Sequence, residues 1–207
     1  MNEYIESLER EFSSIENGFK EEETRAFTDY KSNDSEFIKK LAFLSYQSEV
    51  YQVRMYSVFL FGYLSEDKNI LMFLRDEVSK DSNWRVQEVL AKSFDEFCKI
   101  IGYEKALPVI DDWLKNSNHN TRRAVTEGLR IWTGRPYFKA NPNEAIRRLA
   151  ALRDDPSEYV RKSVGNALRD ISKKYPELIR VELSTWSLET KGIKQVYQLA
   201  NKLLIKS

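Results

Sequence analysis

The chain has one cysteine in 207 residues, Cys98. An internal disulfide framework is therefore excluded, and a reducing compartment suits the composition. Cys98 lies among Phe94, Phe97, Ile100 and Ile101, surroundings of a packed thiol rather than a nucleophile. Histidine is equally scarce. His119 sits beside Asn118 and Asn120 at an expected helix start, where a solvated capping role is the default. With one histidine and one cysteine there is no His/Cys metal spacing, and no Gly-rich dinucleotide or phosphate loop is present. No metal and no small-molecule cofactor is expected. Acid–base work would fall to carboxylates.

Neither sign of charge dominates. The formal net charge is +1, so a basic surface can arise only by segregation. Long apolar runs are also missing: the longest stretch, around Tyr56 to Leu64, is too short and punctuated to span a bilayer. The N-terminal MNEYIESLEREF lacks a basic start and an apolar core, so it is not expected to be a signal peptide. A cytoplasmic protein with no membrane partner is the expectation. Seven glycines and five prolines, with 42 % apolar and 31 % charged residues, fit a folded helical protein with short turns.

What the chain does have is a repeated helix. In DDPSEYVRKSVGNALRDISKKYP, residues 154–176, an Asp-Pro-Ser turn suits a helix start. Val160, Val164, Ala167, Leu168 and Ile171 then recur at helical spacing. Arg161, Lys162, Arg169, Lys173 and Lys174 take the other face, and Pro176 is expected to stop the helix. The same pattern recurs around Val53-Arg54, Val86-Gln87, Thr121-Arg122 and Ile193-Lys194. These anchors are separated by 33, 35, 39 and 33 residues, within the roughly 33–47-residue periods of helix-pair repeats. A single helical hairpin cannot bury its own apolar face, so such pairs stack.

The expected fold is all-α, a right-handed α-solenoid of HEAT-like repeats (an alpha-alpha superhelix) forming a single domain over 1–207. Residues 1–47 supply N-terminal capping helices, and about 48–207 supply five helix pairs. Helices are expected over 2–15, 21–30, 36–47, 68–78, 103–114, 143–152 and 177–187, between and beside the anchor helices, with the final lysines in water. The connection from Trp132 to Asn143 explains the 39-residue interval. It is either a functional loop or a turn whose Trp132, Tyr137 and Phe138 cover a repeat interface.

Second helices of such arrays line a concave face. Here they offer Arg54, Arg85, Gln87, Glu88, Lys92, Arg122, Arg123, Glu127, Arg130, Arg161, Lys162, Asn166, Arg169 and Lys173. Acids cluster elsewhere, at Glu21 to Glu23, Asp76, Glu77, Asp111, Asp112, Asp154 and Asp155. Segregated cations suggest a groove for a phosphate backbone. The competing account for Arg54, Arg122 and Arg161 is a ladder to acids of neighbouring turns.

The block RRAVTEGLR, then TGRPYF, then LRDDPSEYVRKSVGNALRDISKKYPELI resembles the HEAT-like DNA alkylation repair family, which holds the alkylpurine DNA glycosylases. The likeness covers roughly residues 80–180. It implies a metal-independent enzyme excising N3- or N7-alkylated purines (a 3-methyladenine/7-methylguanine glycosylase) from double-stranded DNA. By position, Trp84 matches a catalytic aromatic and Glu88 the carboxylate that stabilises the oxocarbenium-like sugar. A slip of one residue would put Gln87 there instead. Arg122, Arg123, Arg161, Lys162 and Arg169 are the expected backbone contacts. A second family aromatic falls on Asn166, which offers no π face. The alternative is a non-catalytic HEAT scaffold binding a protein or nucleic-acid partner, with the Trp132–Phe138 aromatics as its contact patch.

Overall fold

The computed structural model describes residues 1–205, and among them every regular element is helical. The order is α1 Asn2–Phe12, α2 Lys20–Ser32, α3 Ser35–Ser45, α4 Tyr51–Tyr63, α5 Lys68–Asp76, a 3-10 turn Val78–Lys80, and α6 Trp84–Ile101. It continues with α7 Tyr103–Leu114, α8 His119–Trp132, α9 Pro136–Ala140, α10 Pro142–Ala151, α11 Glu158–Ser172, α12 Pro176–Ser184 and α13 Lys191–Asn201. The five anchors fall on α4, α6, α8, α11 and α13, and Val53, Val86, Thr121 and Val160 are buried. The chain divides into two compact units, residues 1–102 and 103–207. Gly102, at φ +89°, ends α6, a left-handed position that favours glycine.

In the first unit α4 is the central helix. It packs on α2, α3 and α6 and is apolar nearly all round, as a helix enclosed by others must be. Gly62 of α4 faces Ser93 of α6 so closely that a Cβ would lie 2.9 Å from the Ser93 Cα. Ser93 Oγ uses the approach to donate to the Val58 carbonyl at 2.6 Å. Because α3 packs directly on α4, it acts as the first helix of that pair rather than as part of a separate cap. Phe43, Tyr46, Phe61 and Phe73 form an edge-to-face cluster joining α3, α4 and α5. Asp29 of α2 accepts from both Tyr4 and Tyr56 hydroxyls at 2.6 Å. Burial and that carboxylate push the Tyr56 phenol far up.

In the second unit α8, α11 and α13 stack side by side, with α7, α10 and α12 behind them. Val160, Val164, Ala167, Leu168 and Ile171 are all buried, as their spacing predicts. Pro176 does not itself end α11, which stops at Ser172; it starts α12, where its fixed φ suits the first turn. Gly165 admits α13 so closely that a Cβ would meet Leu199 Cβ at 2.6 Å. The 132–143 connection contains α9. Trp132 and Phe138 are fully buried and stacked at 5.8 Å, with Tyr103 against both. Trp132 and Phe138 are core, so the connection is a packed turn and these two rings are not available for the contact patch expected of a scaffold; Tyr137 is half-buried. Lys202 is exposed; Lys206, also expected in water, lies outside the described residues.

Candidate nucleic-acid interface

Four of the anchor helices begin with the same device. A turn residue receives the N–H two places on through its side chain: Ser48 from Val50, Asp81 from Asn83, Asn116 from Asn118, Asp155 from Ser157. Its own carbonyl receives the residue six places on: Ser48 from Arg54, Asp81 from Gln87, Asn116 from Arg122, Asp155 from Arg161. The turn residue thus satisfies backbone donors at the helix start. The ladder residue ties the helix back to the turn before it.

This decides several sequence readings. Arg122 is 7 % exposed. Its Nε and Nη2 hold both Asp155 oxygens at 2.7 Å, and Nη1 donates to the Asn116 and Ser117 carbonyls. A guanidinium so committed is structural, and its expected role as a backbone-contact residue does not fit. In the next repeat Arg161 does the same work, donating to Asp155 and Pro156 carbonyls and to Gln195 Oε1 at 3.0 Å. Arg54 makes the equivalent bidentate pair with Asp81 at 2.8 and 3.1 Å in the first unit. Gln87 is the ladder residue of α6, its amide 2.6 Å from the Asp81 carbonyl. Its amide is thus committed to the turn, whereas Glu88, the next residue, is half-buried.

In the first unit, Asn83 caps α6 by accepting from the Arg85 N–H at 2.9 Å. Trp84 opens the helix and is 52 % exposed. Glu88 is half-buried one turn on, so both side chains rise from one face. The Arg85 guanidinium lies 4.5 Å from the Trp84 ring centre and 5.4 Å from that of Tyr51. Lys92 lies 5.2 Å over the Phe19 ring.

In the second unit, Arg123 of α8 lies 4.3 Å over the Tyr159 ring and 4.0 Å from Glu127. His119 is exposed at the first position of α8, and its ring meets the Tyr159 edge. The cap is its neighbour Asn118, not the histidine. Tyr159 escaped the sequence reading, because an aromatic in a polar first turn carries no periodic signal. Lys162 is exposed and pairs with Glu158 at 2.8 Å, an i,i+4 surface pair of small strength. Asn166 is half-buried and makes no side-chain hydrogen bond among the described residues. Arg169, Arg130 and Lys173 converge on one carboxylate, Asp170, at 3.3, 2.6 and 3.0 Å. Burial works to raise the Asp170 pKa, but hydrogen bonds from Lys173 and Arg130 and the surrounding cations win, and it sits below the usual carboxylate range. Arg130 also reaches Glu127 at 3.4 Å, so two carboxylates lie among these three cations. Arg123, Lys162 and Arg169 are the expected backbone residues that stand outside the Arg54, Arg122 and Arg161 ladder; Lys162 is exposed, and the side chains of Arg169 and Arg123 are 25 % and 15 % exposed.

Among the described residues no group of three His, Cys, Asp or Glu side chains is arranged to hold a metal, and no helix is long and apolar enough to cross a membrane. Cys98 is buried, and burial pushes its thiol well up.

Residues 2–185 match the family model for the DNA alkylation repair enzyme. The crystal structure of AlkD2 from Streptococcus mutans is 75 % identical, with a TM-score of 0.96 and 97 % of both chains covered. A Bacillus subtilis protein, YhaZ, is 36 % identical over 91 residues, which is 42 % of this chain and only 26 % of the relative's length. The alkylpurine DNA glycosylase AlkC of Pseudomonas fluorescens, solved bound to DNA containing an abasic site analogue, is 23 % identical with a TM-score of 0.52, covering 91 % of this chain and 62 % of that one. That likeness is one of fold. On the match across residues 2–185, the chain belongs to the DNA alkylation repair enzyme family.

Proposed function

We propose that this protein binds double-stranded DNA in the cytoplasm, with Arg123, Lys162 and Arg169 of the second unit on phosphates and Trp84 and Glu88 of the first unit toward a base or sugar. The observation that carries the reading is the division of labour among the arginines. Once Arg54, Arg122 and Arg161 are assigned to the ladder, the cations left on α8 and α11 are Lys162, exposed beside Glu158, Arg123 over the Tyr159 ring, and Arg130, Arg169 and Lys173 around Asp170 and Glu127. Phosphate contacts release counterions, so affinity falls steeply with salt. A gel-shift titration at low and moderate salt tests this; absence of binding to plain and alkylated duplex at low salt overturns it.

If the protein also cleaves N-glycosidic bonds, Glu88 supplies the chemistry. A cationic alkylated purine is already a good leaving group, and a fixed carboxylate stabilises positive charge growing on the sugar. Single-turnover release of 3-methyladenine or 7-methylguanine from methylated duplex then falls on the order of a hundredfold or more in Glu88→Gln, while DNA binding persists. Full activity in the variant removes Glu88 from that role. A second reading, a family member that recognises DNA without cutting it, is favoured by Asn166 standing where the family's second aromatic is expected. Intact binding with no base release by the wild-type protein identifies it.

A further inference from the structure

We infer that Arg85 is a specificity-determining residue, whose guanidinium occupies the ring faces of Tyr51 and Trp84 and turns this surface against cationic bases. The inference rests on the reading of Trp84 and Glu88 as base-facing. Arg85 is charged at every accessible pH. It lies 4.5 Å from the Trp84 centroid and 5.4 Å from the Tyr51 centroid, and Nη2 reaches the Glu16 carbonyl at 3.5 Å. Three elements therefore hold it: α4 through Tyr51, the turn after α1 through Glu16, and its own helix through Trp84.

An aromatic face attracts a cation through its quadrupole, and a ring face already covered has that attraction satisfied. A cationic purine arriving at Trp84 must displace the guanidinium or settle close to it, against like-charge repulsion. A neutral base has no such conflict. Trp84 remains half-exposed, and stacking against an indole tolerates any neutral base. Seven residues along α6, Lys92 covers Phe19 in the same way, so the cationic cover extends along the helix. Glu88 lies on the turn between them; its carboxylate favours cations, and Arg85, three residues before it on the same face, opposes that preference.

The test is a titration of the full chain with 7-methylguanosine in mildly acidic buffer, where its purine is cationic, and with guanosine, following quenching of indole fluorescence. Trp84→Phe assigns the signal. The wild-type protein is expected to bind guanosine at least as tightly as 7-methylguanosine. Arg85→Gln is expected to bind 7-methylguanosine about three- to tenfold tighter than wild type, with guanosine unchanged or weaker, and Arg85→Lys, which keeps a cation, is expected to stay with the wild type. Equal gains for both nucleosides, or no gain for 7-methylguanosine, overturn the inference. Should Arg85→Gln lose its helical circular dichroism, the wild-type ratio decides: tighter binding of the cationic nucleoside overturns the inference, and the reverse supports it. Because free nucleosides are used, this outcome is separate from whether duplex DNA binds.

Discussion

The two units solve the same packing problem with different chemistry. The first has one complete ladder pair, Arg54–Asp81, and otherwise relies on aromatics: the Phe43–Tyr46–Phe61–Phe73 cluster and the tyrosines that converge on Asp29. The second is laced by arginines. Arg122 holds Asp155, Arg161 holds Gln195, and Arg148, 6 % exposed, holds Asp111 at 2.7 and 3.0 Å together with Glu144. Cations that resemble one another in sequence thus serve two ends. Those one place after the anchor fold inward against the preceding turn, while those two places after it do not join that turn: Lys162 is exposed and Arg123 lies over the Tyr159 ring. One residue of offset is about 100° of rotation on a helix, enough to separate architecture from binding surface.

The contrast is broken most severely at Arg122. Removing it leaves Asp155 charged and nearly buried, 2 % exposed at its side chain. Arg122→Ala is expected to cost about 3–5 kcal/mol, seen in a denaturant titration. Arg123→Ala, one residue on, removes a cation from the Tyr159 ring and from the partly exposed Glu127, and is expected to cost less stability than Arg122→Ala while weakening DNA binding. Equal stability losses for the two would erase the distinction between ladder and surface cations.

Next in size is the close approach of α11 and α13. Gly165→Ala places a Cβ against Leu199, and overpacking of this kind costs about 1–3 kcal/mol. Thermal unfolding of the variant measures it; an unchanged midpoint means α13 can shift without loss.

The first unit carries a liability that the second handles by pairing. Glu22 of α2 is fully buried, and neither carboxylate oxygen has a hydrogen-bond partner among the described residues. Burial, aided by the charge of Glu21, raises its pKa, although its own backbone N–H opposes the shift. The folded state therefore holds this proton more tightly than the unfolded chain. Its stability is greatest below the unfolded carboxylate pKa and declines as pH rises from there through the folded value. Glu22→Met is expected to stabilise the protein by about 1 kcal/mol near neutral pH and to flatten that pH dependence. Denaturant midpoints across the acidic-to-neutral range check both.

The smallest effect separates binding from folding. Lys162→Ala removes only an exposed pair with Glu158, so stability is expected to move by less than about 0.5 kcal/mol. The slope of log affinity against log salt for duplex DNA is expected to fall in magnitude by about 1. An unchanged slope takes Lys162 out of the interface.

Much of the fold is legible in the residues. The 33–39-residue spacing of buried anchors specifies helix pairs, because burying one stripe per helix requires a neighbour at each step. Asn83, Asn118 and Thr190 mark helix starts through local chemistry alone. The site is less legible. Arg122 and Arg123 are adjacent, identical and equally plausible as phosphate contacts in a linear reading. Only the position of Asp155, 33 residues from Arg122, commits one of them to the fold. Gln87 passes for a groove residue until its amide is placed on the Asp81 carbonyl.

Period and capping are local properties of a chain, so the residues alone specify the helical-repeat fold and the helix boundaries to within a few residues, while the candidate pair Trp84 and Glu88 comes from the family resemblance. Three outcomes needed the folded chain: which cations are ladder and which are surface, that Trp132 and Phe138 are core, and that Arg85 covers Trp84 and Tyr51. Each depends on which groups distant in sequence share a few ångströms of space, where burial and pairing, rather than residue type, determine what a charge or a ring can do.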